Sequence, residues 1–169
     1  RKGFAAATGN AVNESVRVAT VADLEMLADF ATQAVAEQHE NRGGYVWSRR
    51  ETRSRPYLAS FEAALHDPDQ TIWIGMIDDV PLGYAVSRVE LLRTGEILGQ
   101  VSDIWVDPEA RSVGLGESLI GSIISWCTER NCVGIDSMAL PGNRATKNFF
   151  ETFGFKARLL TVHKPLNEP

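Results

Sequence analysis

The chain has 169 residues, of which 44% are hydrophobic and 23% are charged, and its formal net charge at pH 7 is −5. This length and composition indicate one globular domain with a substantial core. The acidic balance argues against a general nucleic-acid-binding surface, which would be basic, so no nucleic-acid partner is expected. No apolar run is long enough to span a membrane and no signal peptide is visible, so no membrane contact is expected either.

The ends and the cysteines of the chain bear on its organisation and location. Arg1–Glu14, which is rich in alanine, glycine and asparagine, is predicted to be a flexible tail before a single domain over residues 15–169. Cys127 and Cys132 match neither a metal-binding spacing nor a disulfide framework, so a reducing, cytoplasmic location is expected. The three histidines are scattered and give no zinc signature, and no metal cofactor is predicted.

The first half of the domain is predicted to contain a strand, two helices and a three-stranded meander. Val16–Ala19 is a short strand candidate, and Thr20 followed by Asp23 favours a helix start. Apolar residues then repeat at helical spacing in two segments, one ending before Asn41–Gly44 and one starting near Pro56. The meander strands are predicted over residues 71–77, 82–92 and 96–106.

The second half alternates helices and strands. After a glycine-containing loop, a strongly periodic helix is predicted up to Arg130, and Val133–Ala139 follows as a strand. Two strands joined through a helix are expected to be parallel. Asn143 is a good N-cap for another helix, Gly154 is placed to end it, and Phe155–Lys164 is predicted to be a last strand.

The loop between the third meander strand and the periodic helix reads Arg111-Ser-Val-Gly-Leu-Gly116. It follows an Asp-Pro pair that ends the strand, because proline cannot donate to a ladder. Helix N-termini expose unpaired N–H groups and carry partial positive charge, so the loop suits a phosphate. It is neither a dinucleotide loop, which would need a glycine at Leu119, nor a Walker loop, which would need Gly-Lys-Ser/Thr.

Two segments of the chain resemble the GNAT family of N-acetyltransferases. Arg111–Gly116 is similar to the family motif Arg/Gln-x-x-Gly-x-Gly/Ala, and Asn143–Phe155 is similar to Asn-x-x-Ala-x-x-Phe-Tyr-x-x-x-Gly-Phe. The predicted order of elements from Val16 to Leu166 is also the family's order. The resemblance implies an α/β (α+β) fold, with a mixed six- to seven-stranded sheet flanked by helices on both faces.

The same resemblance implies an activity and its partners. The expected reaction moves an acetyl group from acetyl-CoA to a primary amine of a small molecule, an antibiotic or a peptide N-terminus. The amine would attack the thioester directly in a ternary complex. A homodimer is implied at the level of the family.

The resemblance further implies how the coenzyme is held. The strands Val101–Val106 and Val133–Ala139 should splay apart, and the pantetheine arm should pair with backbone groups of Ile104, Trp105 and Val106. An N–H near Trp105 and Val106 would face the thioester carbonyl. The pyrophosphate would be bound by backbone N–H groups of the loop, which are those of Ser112, Val113, Gly114, Leu115, Gly116 and Glu117.

Three polar side chains are implied to assist, each with a plain structural alternative. Arg111 would position the loop or screen the pyrophosphate, or else form a surface ion pair. Asn143 would bond the pantetheine or an ordered water, or else only cap its helix. Lys147 would meet the 3′-phosphate, or else be an ordinary exposed helix lysine.

The general acid departs from the family's pattern. Many members place a tyrosine in the last motif to protonate the leaving sulfur, and the matching position here is Phe150. Tyr84 or Tyr45 could substitute from another element, although each could equally be a packing residue. A positioned acid contributes about 10²–10⁴-fold, and a thiol of pKa about 8.5 already leaves tolerably well, so the chemistry should be slowed rather than abolished.

The general base is chosen from acidic residues on the meander. Asp103 is the first choice, with Glu96 on the same strand and Glu90 on its neighbour, and a carboxylate that merely orients a loop is the alternative. Side chains alternate along a strand, so Asp103 and Ser102 should face opposite ways, but the pattern leaves open which of the two faces is the acceptor side. His39, at the end of the first helix, is a further candidate or a solvated helix-end residue.

The acceptor pocket and the function itself retain alternatives. Acceptor specificity is expected to come in part from His39–Trp47. Within it, Asn41–Trp47 mixes glycine with aromatic residues, as a mobile binding lid would, or it is an irregular loop whose Tyr45 and Trp47 pack on the core. The second helix and the loop before the last strand would complete the pocket. A non-catalytic acyl-CoA-binding or sensing domain is the main alternative function, and a toxin-like enzyme that acetylates aminoacyl-tRNA is disfavoured by the acidic charge.

Overall fold

The computed structural model describes residues 12–167. Its strands are β1 (Glu14–Val18), β2 (Gln70–Ile77), β3 (Val80–Leu91), β4 (Ile97–Val106) and β5 (Ile135–Ser137). Its helices are α1 (Leu24–His39), α2 (Gly44–Arg50), α3 (Tyr57–Leu65), α4 (Leu115–Glu129) and α5 (Arg144–Thr152). Most of the predicted tail, Arg1–Glu14, lies outside the described residues, and Glu14 is already the first residue of β1.

The five strands form one mixed sheet in the order β1-β2-β3-β4-β5. Neighbours from β1 to β4 are antiparallel, and β4 and β5 are parallel, which confirms both the meander and the predicted parallel pair. Asp78 and Asp79 both have positive φ, the backbone conformation that a two-residue hairpin turn requires. The strand–helix–strand unit therefore follows a tight antiparallel meander, as the sequence predicted.

Helices cover both faces of the sheet, as expected. Alternate side chains of a strand point to opposite faces, so Tyr84 and Val86 pack against α1 and α3, while Ala85 packs against α4. The α4 stripe is fully buried at Leu115, Leu119, Ile120 and Ile123. One apolar cluster lies between the sheet and the helices α1 and α3, and the other lies between the sheet and α4. The strand β4 is therefore packed between helices from different parts of the chain.

The start of α1 is fixed by an ion pair and a capping interaction. Asp23 accepts hydrogen bonds from the Thr20 backbone N–H at 2.8 Å and from the Arg17 guanidinium at 2.8 and 2.7 Å. The hydrogen bonds from Arg17 are the largest cause that lowers the pKa of Asp23 to about 2. The predicted relation between Thr20 and Asp23 is thus confirmed, and Arg17 connects it to β1.

A β-bulge interrupts the pairing of β3 with β4. Val86 lies opposite Asp103, whereas the next residue, Ser87, lies opposite Val101, so Ser102 is the extra residue. A bulge reverses the alternation of side chains beyond it and occurs often beside functional sites. Val101 therefore packs on the α4 side, while Asp103 hydrogen-bonds to Tyr84 on the α1 and α3 side.

The segment predicted to be a glycine-rich lid is instead a sharp turn between two helices. Gly43 adopts φ 87° and α2 begins at the next residue. A Cβ on Gly44 would lie 2.3 Å from the carbonyl oxygen of Gln38, so only glycine allows α2 to approach the end of α1 this closely. The sequence did not predict α2, because the same glycines that break a helix also permit tight helix–helix packing.

The predicted last strand does not form. Residues 155–164 make no strand pairing, and the sheet has five strands rather than six or seven. Leu159, Leu160 and Val162 are 75%, 83% and 94% exposed. Arg158 anchors the segment beside β5 through an ion pair with Asp136. The segment has a composition that favours β-structure, but a strand also needs a neighbouring strand edge within hydrogen-bonding distance. Composition does not show whether such an edge is present.

Candidate functional site

A cavity of about 700 Å³ opens where β4 and β5 separate. The two strands pair only from Gly99 to Val101 of β4, so β4 is free of β5 from Ser102 to Val106. The cavity is lined by the residues of β4 that are free of β5 and by residues of α1, α4 and α5. The predicted splay of the two strands is therefore present, and it leaves one long space between the helices α1 and α5.

One side of the cavity is formed by the free part of β4 and the start of α4. Ile104, Trp105, Val106, Gly116 and Glu117 line the cavity. The backbone turns into α4 at Gly114, whose φ is 90°, and no side chain between residues 12 and 167 caps that helix with a hydrogen bond, although the Glu14 carboxylate lies close to Gly114 and accepts from Ser118 Oγ. The first N–H groups of an α-helix have no partner inside the helix, so this end of α4 can bind an anion.

The other predicted loop residues lie outside the cavity lining. Ser112, Val113 and Gly114 form the turn before α4, and the Leu115 side chain is fully buried in the core. Gly116 contributes space as well as an N–H, since a Cβ there would lie 2.9 Å from the Phe149 ring.

Arg111 makes an ion pair across the cavity mouth. Its Nη1 and Nη2 donate to the two carboxylate oxygens of Glu37 at 2.7 and 2.6 Å, and its Nε donates to the Val106 carbonyl at 2.9 Å. The Trp105 indole N–H also donates to Glu37, at 3.2 Å. These hydrogen bonds, with Arg111 the largest cause, hold the pKa of Glu37 below its usual value. Glu37 was not among the predicted site residues, because in the sequence it looks like any other polar residue of α1.

Asp103 lines the cavity on the α1 and α3 side of the sheet, in a dense hydrogen-bond network. It accepts from Arg53 Nε at 3.1 Å and Nη2 at 3.2 Å, from Ser102 Oγ at 2.9 Å and from Tyr84 Oη at 3.4 Å. A carboxylate has about four acceptor positions, so these donors occupy all of them. Burial, together with the charge of Asp103, raises the pKa of Tyr84 well above its usual range, so the phenol stays protonated.

Arg53 is the second site residue that the sequence did not reveal. The Arg53 and Asp103 side chains are only 8% and 11% exposed. The remaining Arg53 nitrogen, Nη1, donates to Ser60, and the guanidinium lies 4.3 Å from the centroid of the Phe61 ring. An arginine in a polar loop would ordinarily be exposed, so nothing local predicted this buried ion pair.

Asn143 both caps α5 and reaches the cavity. Its Oδ1 accepts from the Thr146 N–H at 3.0 Å, and its Nδ2 donates to the Gln38 side chain at 3.0 Å. Gln38 also accepts from the Asn41 side chain at 3.1 Å. The three amides connect α5 to the end of α1 and form part of the cavity wall.

Several predicted site residues do not meet the cavity. Glu96 was expected beside the acetyl site but is exposed at the far end of β4, where it accepts from Thr94. Lys147 is paired with Glu151 at 2.9 Å and is largely exposed. Phe150 is 5% exposed and packs in the core, 5.2 Å from Phe155 between ring centroids, and the cavity is lined by Phe149 instead.

The weaker candidates also lie elsewhere. Glu90 is exposed and accepts from Gln100 on the strand β4. His39 bonds Ser48 at 3.1 Å, and Tyr45 lies under the Arg49 guanidinium at 3.7 Å. None of Glu90, His39 and Tyr45 lines the cavity described above.

The described residues provide neither a metal site nor a membrane-spanning helix. Between residues 12 and 167, no group of three or more His, Cys, Asp or Glu is placed to hold a metal ion. No helix in the same range is both long and apolar enough to cross a membrane. Burial raises the pKa of the Cys127 thiol to about 12, with Cys132 adding to the effect, so Cys127 is a core residue and not an activated nucleophile.

Known proteins resemble this chain in sequence and in fold. The sequence model of the acetyltransferase (GNAT) family matches residues 31–155. A tetramutant of the BH1408 protein from Bacillus halodurans has a TM-score of 0.75 and 25% identity, over 90% of this chain and 99% of that one. The structure of AAC(6′)-Iy in complex with a CoA bisubstrate analogue has a TM-score of 0.69 and 20% identity, over 90% of this chain and 99% of that one. A transcriptional regulator from Bacillus halodurans C-125 has a TM-score of 0.65 and 22% identity, over 90% of this chain and 100% of that one. No curated protein matches the sequence.

Proposed function

This chain belongs to the GNAT acetyltransferase family, and from that premise we propose that it moves an acetyl group from acetyl-CoA to a primary amine. One observation carries the proposal. A single cavity joins the free edge of β4 to the uncapped N-terminus of α4, and it continues to a polar wall on α1. Coenzyme and acceptor would therefore meet at β4, so that direct attack in a ternary complex is possible.

The coenzyme would occupy the side lined by β5, α4 and α5. Its pantetheine arm would pair with the free backbone of Ile104–Val106, as an added strand does, and its pyrophosphate would lie at the start of α4. Gly116 would leave room for this approach. Asn143 is proposed to bond the arm through its amide, whereas Lys147 and Phe150 have no direct role in the proposal.

The acceptor would enter between α1, α2 and α3. Tyr84 and Asp103 are proposed to form the polar floor of that side, and Glu96, which precedes β4 at its far end, lies too far away to take part. Tyr84 already donates its proton to Asp103, so we propose that the leaving thiolate takes its proton from the amine or from water. The absence of a positioned acid at Phe150 would cost about 10²–10⁴-fold at most.

A non-catalytic acyl-CoA sensor remains the second candidate. The observation that favours it is the core position of Phe150, because the family's usual acid is missing and its place faces away from the cavity. Both candidates bind acetyl-CoA, and only the enzyme transfers the acetyl group. The aminoglycoside acceptor of AAC(6′)-Iy supports an amine class for this chain but does not identify the amine.

The proposal is tested with purified protein in two steps. We expect acetyl-CoA to bind by titration calorimetry and a panel of primary amines to release free thiol with at least one acceptor. Binding without turnover of any amine would favour the sensor. An absence of acetyl-CoA binding would exclude both candidates.

We also propose that the chain forms a homodimer through the extended segment Phe155–Lys164. Its apolar side chains are largely exposed, it makes no strand pairing, and it carries Lys156, Arg158 and Lys164 but no acidic residue. Arg158 is already paired with Asp136 of its own chain. Lys156 and Lys164 are therefore the charges that the body of a second copy would attract, since the chain as a whole has net charge −5. An unpaired, β-favouring segment is a ready template for pairing with another chain.

We expect the dimer to dissociate when Leu160 is replaced with lysine, because a charge would then be buried in the interface. Leu91→Lys is the matched control, since Leu91 is 73% exposed at the end of β3 and Leu160 is 83% exposed. Sedimentation velocity over a range of concentrations measures both. A monomeric wild-type protein, or equal dissociation of the two variants, would argue against this interface.

The cytoplasmic location stays a prediction.

A further inference from the structure

Three carboxylates line the cavity: Glu37, Asp103 and Glu117. Glu117 lies in the first turn of α4, where the coenzyme's phosphates are proposed to bind, so it is poorly placed to meet an amine. Asp103 has all of its acceptor positions occupied. Glu37 is the remaining candidate for contact with the acceptor.

The partners of Asp103 and Glu37 differ in their freedom to leave. Arg53 is 8% exposed and held at Ser60 and Phe61, so releasing it from Asp103 would strand a buried charge. Arg111 is 42% exposed and stands in the loop before α4, beside the proposed pyrophosphate site. A diphosphate offers Arg111 the same two-pronged geometry as a carboxylate, with more negative charge.

Trp105 would keep Glu37 in place after such an exchange. Its indole N–H donates to Glu37 Oε2, and Trp105 itself is 6% exposed and packs against Phe30, with ring centroids 5.0 Å apart and the ring planes tilted by 40°. The carboxylate is thereby held beside the end of β4, where the thioester is proposed to lie. Trp105, one partner of Glu37, is buried. Arg111, the other partner, is partly exposed and is also held by the hydrogen bond from its Nε to the Val106 carbonyl.

We propose that Glu37 binds the ammonium group of the acceptor and accepts its proton, and that acetyl-CoA makes Glu37 available by drawing Arg111 to its pyrophosphate. This inference rests on the proposed acetyl transfer. It implies an order of events in which coenzyme binds first. Glu37 stays neutralised by Arg111 until a thioester is in position.

The protons and bonds of the step balance. Glu37 takes one proton from the ammonium and leaves a neutral amine. The amine nitrogen attacks the thioester carbonyl, the new C–N bond forms and the C–S bond breaks. The thiolate leaves with the electron pair and takes the second proton from the nitrogen. Glu37 then releases its proton to solvent, so that an amide, a thiol and one proton are the products together with the regenerated carboxylate.

The charged surroundings of Glu37 define its expected titration. Arg111 faces it from the loop, and Asp107 in turn interacts with Arg111. The other charged groups on the cavity wall are Arg53, Asp103, Glu117 and Arg144. Arg111 lowers the pKa of Glu37, so transfer of Arg111 to the pyrophosphate raises that pKa toward its usual value and makes the carboxylate a better base.

The test is Glu37→Gln, which keeps the shape and removes the charge. We expect kcat/KM for the acceptor to fall about 10²–10⁴-fold and the acid limb of its pH profile to disappear. We also expect acetyl-CoA to bind about two- to fivefold more tightly, because the variant no longer competes for Arg111. A residue that only supported the structure would weaken coenzyme binding and leave the pH limb in place.

Glu40→Gln is the matched control, since Glu40 follows α1 directly and does not line the cavity. It should leave both measurements unchanged. The inference is overturned if Glu37→Gln keeps its acid limb, if it binds acetyl-CoA more weakly, or if Asp103→Asn removes the limb instead. If the wild-type protein fails to bind acetyl-CoA, the proposed function is wrong as well. A failure of the proposed function can therefore be told apart from a failure of the role proposed for Glu37.

Discussion

Replacing Arg53 with alanine is expected to lower the free energy of unfolding by about 3–5 kcal/mol, because it leaves Asp103 as a buried charge without its partner. The two side chains are 8% and 11% exposed, and two hydrogen bonds of 3.1 and 3.2 Å join them. The pair also ties the loop between α2 and α3 to β4. Chemical denaturation monitored by tryptophan fluorescence measures the effect.

Two further variants separate this ion pair from general damage to the loop. The double variant Arg53→Met with Asp103→Leu should be more stable than Arg53→Ala, because neither charge is then buried alone. Arg50→Ala, which removes an exposed partner of Glu51, should change stability by less than about 1 kcal/mol. Equal effects of Arg53→Ala and Arg50→Ala would show that the buried pair contributes nothing special.

The second large effect is expected at Gly116, where valine should weaken acetyl-CoA binding about 10- to 100-fold or more. An added Cβ would lie 2.9 Å from the Phe149 ring, so that the ring, which lines the cavity beside Gly116, would have to shift and the larger side chain would fill space at the proposed pyrophosphate site. Each hydrogen bond lost to a charged group is worth about 1.5–3 kcal/mol, and about 1.4 kcal/mol corresponds to a tenfold change in Kd. Titration calorimetry with acetyl-CoA measures the change.

Gly121→Val provides the control on the same helix. A Cβ at Gly121 meets no atom within 4 Å, so this variant should bind acetyl-CoA as the wild-type protein does. Both substitutions replace a glycine of α4, so the effect on helix propensity is shared. If the two variants bound acetyl-CoA equally well, the pyrophosphate would have to lie away from the start of α4.

The sequence was most informative where a feature depends on neighbouring residues. Thr20 and Asp23 marked the start of the first helix, and Asn143 and Gly154 bounded the last one. These features are local because a cap or a left-handed glycine acts on the backbone within a few residues. The match of the family model to residues 31–155 confirms the family that the two motifs suggested.

The acceptor side was predicted less well because its geometry is set by residues distant in sequence. The bulge at Ser102 decides which face of β4 Asp103 occupies, and a pattern of alternating residues does not show where an alternation is broken. The lid became the helix α2, because the close packing of Gly44 against α1 is invisible in composition. The last strand lacked a partner.

By itself, the sequence determined the family and the order of the elements from β2 to α5, because motifs, periodicity and caps all lie within short stretches of chain. Only the tertiary structure decided which charges meet in the cavity. Arg53 lies 50 residues from Asp103, and Glu37 lies 74 residues from Arg111. An ion pair depends on the distance between its charges in space, and only the packing of helices on both sides of β4 brings these partners together.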